Sequence, residues 1–222
     1  MRSVQIRGWI SGSVGGATCL NFGVRIIRTE TLKARESLAR PNFRAFSGDT
    51  ERYLRMLSIR PAVAGDVPAL NLLIRELAEF ERLPVAVTEA DLLRDGFGDS
   101  PRFRALMAQW DEKPAGYALF FDYYSTFEGR AGLFLEDIYV RELYRGKGIG
   151  KALLAHIASV AREENCFGVR WQVLDWNTPA IDFYKGLGAR FLDEWKTVSL
   201  DGDALQRVAE SAGGDNKERS SR

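Results

Sequence analysis

Apolar and polar positions alternate with two distinct periods along this chain, and the change of period marks out its elements. Leu70, Leu73, Ile74, Leu77 and Phe80 recur every three to four residues, which predicts one face of an amphipathic helix. Asp66 can cap that helix, with Val67-Pro68 in its first turn. Thr88-Glu-Ala-Asp91 reads as a capping pattern for a second helix through Leu92 and Leu93, ending near Gly96-Phe-Gly98. Ile149, Leu153, Ile157 and Val160 predict a third helix over 149–164. A short one begins at Asn177-Thr-Pro179 and stops at Gly186-Leu-Gly188. Between them lie runs rich in branched and aromatic residues, which suit a pleated sheet. These predict strands at Ile59–Val63, Phe103–Trp110, Ala115–Tyr123, Leu133–Val140 and Gly168–Leu174. One or two more are expected over 189–200. The order β-α-α-β-β-β-α-β-α-β predicts an α+β domain around one mixed sheet. Three consecutive strands in the middle exclude a doubly wound nucleotide fold.

Composition narrows the class. The 222 residues are 45% hydrophobic and 27% charged with a formal net charge of +1, which permits one sizeable core and gives no reason to expect nucleic acid as a partner. No apolar run approaches the ~18 residues of a membrane-crossing helix. Cys19 and Cys166 lie far apart and His156 stands alone, so neither a disulfide framework nor a metal site is expected, and a reducing cytoplasm fits. Residues 1–55 are unlike the rest: glycine-, serine- and threonine-rich at 8–23, and basic without an acid over 1–29. A targeting segment or a poorly ordered extension upstream of an alternative start at Met56 would each produce this pattern. The folded domain is expected at 56–210, with a disordered polar tail at 211–222.

The chemistry concentrates where the strand ending at Val140 meets Arg145-Gly-Lys-Gly-Ile-Gly150 and the next helix. A helix that opens in glycines leaves its first N–H groups accessible. With the dipole and Arg145, Lys147 and Lys151 they form a cradle for phosphate or pyrophosphate. The Walker pattern is absent, because Ala152 follows Gly150-Lys151 and no glycine stands at 145. The dinucleotide fingerprint fails on glycine spacing.

Arg-Gly-x-Gly-x-Gly after a strand resembles the acetyl-CoA loop of GNAT-type N-acetyltransferases. Further matches occur in order over roughly 58–195: Ile74–Glu81, Asp95-Gly-Phe-Gly98, Tyr124–Gly129, Leu135-Glu-Asp137 and Asp175-Trp-Asn177 with Tyr184. Together they resemble the spermidine/spermine N-acetyltransferase group, and its thialysine N-acetyltransferase branch above all. The resemblance implies a GNAT-like, mostly antiparallel mixed sheet flanked by helices, a homodimer, and acetyl-CoA as co-substrate. It assigns acetyl-CoA to Ile138, Tyr139, Val140, the loop Arg145, Gly146, Lys147, Gly148, Ile149, Gly150 and Lys151, and Asn177, Thr178, Pro179 and Ala180. It assigns the amine to Phe80, Glu81, Glu136, Asp137, Phe127 and Trp176. Glu136 is the expected base, and Tyr184 the expected proton donor to the departing sulfur. Side chains alternate across a strand, so Glu136 and Asp137 share a site only if the strand bulges. Ser125 stands where polyamine enzymes of this group carry an acid, which argues against long polycations. The remaining alternatives are a non-catalytic acetyl-CoA-binding module and an enzyme acting on polyamines or protein amines. Cys166 has no catalytic partner nearby in sequence, so direct transfer without an acetyl-enzyme is expected.

Overall fold

The computed structural model describes Tyr53 and residues 56–218, so the expectation for most of the first 55 residues lies outside the described residues. Five strands form one sheet in sequence order: β1 (Leu57–Pro61), β2 (Arg104–Trp110), β3 (Lys113–Ser125), β4 (Arg130–Val140) and β5 (Val169–Trp171). Neighbours are antiparallel except β4 and β5, which pair in parallel. The fold is the expected α+β arrangement.

Helices pack on both faces. On one, α1 (Val67–Glu81) and α2 (Glu89–Phe97) cover Ala105, Met107, Tyr117 and Leu119 with Val67, Leu70, Leu73 and Leu92. On the other, α3 (Ile149–Glu163) buries Ile149, Leu153, Ile157 and Ala161 against Leu106, Ala118, Phe120, Leu133 and Leu135. Each large aliphatic side chain so buried contributes about 1.5–3 kcal/mol. Thr88 caps α2 as its sequence predicts: its Oγ1 accepts from Asp91 N at 3.2 Å, and Asp91 Oδ2 accepts from Thr88 N at 3.1 Å. Asp66 is the N-cap of α1 in position only. Its carboxylate pairs with Arg60 at 2.6 Å and accepts from Val63 N at 2.8 Å.

One expectation at the C-terminal end is corrected. Residues 189–200 form no strand. Their apolar content is strand-like, but the neighbouring β5 is only three residues long, too short to template a ladder. Gln172 reaches the segment by a side-chain hydrogen bond to Thr197. After this segment comes the helix α5 (Gly202–Glu218). Gln206 donates to Glu210 one turn on, at 2.9 Å.

Candidate active site

The site is built on an interruption in β4. Phe120 pairs with Leu135 and Leu119 pairs with Asp137, which leaves Glu136 as an extra residue without an opposite number. This is the bulge that the sequence requires if both carboxylates are to serve one site. Its effect is visible in the packing. Leu133 and Leu135 face α3, and beyond the bulge Ile138 and Val140 face it too. Asp137 is thereby turned to the opposite face, where Tyr117 lies. Glu136 is left exposed at the bend.

A second interruption opens the sheet. β4 and β5 pair only over Leu133–Leu135 with Val169–Trp171. Beyond Leu135, β4 runs on to Val140 with no described strand on that side. The gap is a groove of about 1800 Å³. Its walls carry Leu77, Phe80 and Glu81 from α1, Glu136–Val140 from β4 and Arg145 with the glycines of the loop. Opposite them stand Asn177, Pro179, Ala180 and Tyr184. Residues as far apart in the chain as Leu77 and Tyr184 thus share one cleft, with the glycine loop and carboxylates along it.

The cradle's geometry follows from its glycines. Gly146 and Gly148 have φ of +74° and +77°, left-handed values that an L side chain resists. Ala152 is the first residue whose N–H turns back into the helix, donating to Gly148 O at 3.0 Å. The preceding donors are left to the groove. The base of the loop is anchored by Arg141, which forks onto Glu76 of α1 at 2.7 and 2.8 Å and donates to Pro114 O at 3.0 Å. The loop's cations point different ways. Lys151 lines the groove. Arg145 donates from Nε to Val140 O at 3.1 Å and lies 5.0 Å over Phe80 and 5.9 Å over Tyr139. Lys147 turns away to lie 5.3 Å over Trp110, lining a separate hollow of about 290 Å³.

At the carboxylate end, Tyr117 is fully buried and donates its hydroxyl to Asp137 Oδ2 at 2.9 Å. Burial lifts the Asp137 carboxyl to about 6; the Tyr117 bond opposes this, while Glu136 and Glu81 add to it. Burial, then the Asp137 charge, pushes the Tyr117 phenol far above its usual range, so it remains a donor. Burial likewise raises the Glu81 carboxyl. Tyr184 is 6% exposed, packed edge-on to Trp171 at 5.1 Å. Burial and then Glu81 raise its phenol, which keeps the proton a general acid needs. Asn177 caps α4 (Thr178–Gly186): its Oδ1 accepts from Ala180 N at 3.3 Å, leaving its amide NH₂ free for a groove ligand.

Most of the residues expected at the site therefore meet. Four do not line the groove. Lys147 lines the separate hollow, and Thr178 is the first residue of α4. Trp176 is half-exposed at the groove mouth, its ring 5.8 Å from Phe80. Phe127 sits on the turn between β3 and β4 and is 96% exposed. Tyr117 escaped sequence reading altogether. It belongs to an ordinary core strand, and its partner lies 20 positions on, beyond a bulge with no sequence signature.

Comparison with known proteins agrees with this geometry. The profile of the acetyltransferase (GNAT) family matches residues 70–189, the span from α1 to the end of α4. Thialysine N-epsilon-acetyltransferase of Sus scrofa is 42% identical over 164 residues, covering 68% of this chain and 96% of the relative. An L-ornithine N5-acetyltransferase of Arabidopsis thaliana is 46% identical over 94 residues, 42% of this chain and 41% of that one. Among solved structures, an integron cassette protein of V. cholerae superposes with a TM-score of 0.60 at 24% identity, covering 69% of this chain and 98% of that one, which supports the fold. With a family match over more than half its length and a relative covered almost end to end, the chain belongs to the acetyltransferase (GNAT) family and is an acetyl-CoA-dependent N-acetyltransferase.

Proposed function

We propose that the acceptor is the primary amine of a small diamine or thialysine-like molecule, acetylated by direct attack while both substrates occupy the groove. The observation that carries this reading is the bulge at Glu136, which puts Glu136 and Asp137 in one cleft with Glu81. Three carboxylates in a cleft of this size suit a compact molecule with more than one cationic group, and Phe80 offers it an aromatic wall. The similarity to thialysine and ornithine acetyltransferases points the same way.

The residues then divide the work. An amine of pKa about 10.4 is free in only about one molecule in 10³ at neutral pH, so a base is needed. Glu136, directly or through water, takes the ammonium proton, and Asp137 shares that task. The amine nitrogen forms its bond to the acetyl carbon as the carbon–sulfur bond breaks. Tyr184 gives its proton to the sulfur and regains one from the acylated nitrogen, which sheds its second proton as the amide forms. The glycine cradle binds the pyrophosphate, and the free amide of Asn177 binds the pantetheine arm. The backbone donors of Ile138 and Val140, which alternate onto the unpaired side of β4, face the oxygen that gathers charge. A homodimer and a cytoplasmic setting belong to the same proposal, the first tested by sedimentation equilibrium.

Kinetics of two variants test the roles. Glu136→Gln and Tyr184→Phe are each expected to lower kcat about 10²-fold while the Kd for CoA stays within about twofold. Full turnover in both variants would overturn the assignments.

A further inference from the structure

The glycine loop is held from outside the groove by a residue that precedes the sheet. The Tyr53 hydroxyl donates to the carbonyl oxygen of Lys147 at 2.8 Å. Its ring packs edge-on to Trp110 with centroids 5.5 Å apart, and the Lys147 ammonium lies over the same indole. A Cβ placed on Gly148 would meet that hydroxyl at 3.2 Å. Just downstream, Asp111 N donates to Met56 O at 2.9 Å and ties the chain to the turn between β2 and β3. Tyr53 lies upstream of the family match and upstream of the start considered at Met56.

The carbonyl it holds is not an arbitrary one. The Lys147 C=O and the Gly148 N–H belong to one planar trans peptide, in which the two groups point in opposite directions. Lys147 lines the outer hollow and Gly148 lines the groove. Anchoring the carbonyl on the outer side therefore directs the Gly148 N–H into the groove. Gly148, at positive φ and without a side chain, lets this peptide rotate more freely than other residues would unless something holds it. Burial raises the Tyr53 phenol, so it stays a donor at neutral pH.

We infer that Tyr53 is a positioning residue for the pyrophosphate cradle, fixing the Lys147–Gly148 peptide so that its N–H is preset toward the diphosphate of acetyl-CoA. This rests on the reading that the glycine loop binds that diphosphate. The test compares full-length wild type with Tyr53→Phe and Tyr53→Ala, using acetyl-CoA and, in parallel, acetyl-pantetheine, which lacks the diphosphate. Tyr53→Phe is expected to raise the KM for acetyl-CoA and the calorimetric Kd for CoA about 3- to 10-fold, the effect of one lost hydrogen bond. Tyr53→Ala should do so at least as strongly. In both variants kcat at saturation, the amine KM and kcat/KM for acetyl-pantetheine stay at wild-type values. Unchanged acetyl-CoA kinetics in both variants would overturn the inference, as would an equal loss with both donors, which marks general damage. A wild type that binds CoA no better than pantetheine removes the cradle reading itself, and the inference with it.

Discussion

Two adjacent carboxylates have been given different circumstances by one extra residue. Glu136 stays exposed at the bend, while Asp137 is turned inward onto a phenol that burial pushes well above its usual range. Asp137 titrates near 6, so the ionised form that can accept a proton is lost below that pH. Turnover is expected to fall on an acid limb at about that value. Glu136→Gln should keep the limb, and Asp137→Asn should abolish it. Tyr117→Phe removes the bond that lowers the carboxyl, so its limb moves to higher pH. A limb that survives in Asp137→Asn would show that another group controls it. The same burial bears on stability. A carboxyl raised in the folded state favours folding below its unfolded value near 3.9 and loses that contribution as pH rises through about 6. At pH 7.5 the buried charge is a net cost, so Asp137→Asn is expected to stabilise the fold by on the order of 1–3 kcal/mol while it slows catalysis. Chemical denaturation at pH 4 and pH 7.5 checks this, the gain appearing only at the higher pH.

The elements that hold the site were legible to different degrees, for physical reasons. α1 and α3 bury long, regular apolar stripes whose periods survive tertiary context, whereas α2 buries only Leu92 and is legible through its Thr88 cap. β3 and β4 were equally plain as strands. Their register was not, because a bulge is a mismatch between two strands and neither sequence carries it alone. Asn177 could be read as a cap or as a ligand; the cap is present, and it occupies only the carbonyl half of the side chain. The hydrophobic residues of 189–200 resemble a strand, yet a strand exists only where a partner presents its edge. The glycine loop is the element with least tolerance. Gly148→Ala must adopt a left-handed φ and press its Cβ toward Tyr53. The expected result is about a 10-fold or greater rise in the Kd for CoA, from about 1–2 kcal/mol of backbone strain, measured by calorimetry. Wild-type affinity would show that the loop's conformation does not set cofactor binding.

At the scale of the molecule, the sheet splays so that one groove joins the glycine loop, the proposed cofactor end, to the carboxylates, the proposed acceptor end. Arg145 connects the two: it belongs to the cradle, yet its guanidinium lies over Phe80, a wall of the acceptor end, and Phe80 in turn meets Trp176 at the mouth. Sequence order alone nominated residues for both proposed ends, because each carries its own motif. It did not reveal that Phe127 lies away from the groove or that Tyr53 supports the loop, since both facts depend on where distant segments come to rest. The most direct measurement of the account is initial-rate thiol release with acetyl-CoA and a parallel set of acceptors: thialysine, small diamines, spermidine and a lysine-bearing peptide. The account predicts turnover of thialysine and the small diamines well above the peptide, with intersecting double-reciprocal lines as both substrates are varied. Release confined to the peptide, or parallel lines that indicate an acetyl-enzyme, would contradict it.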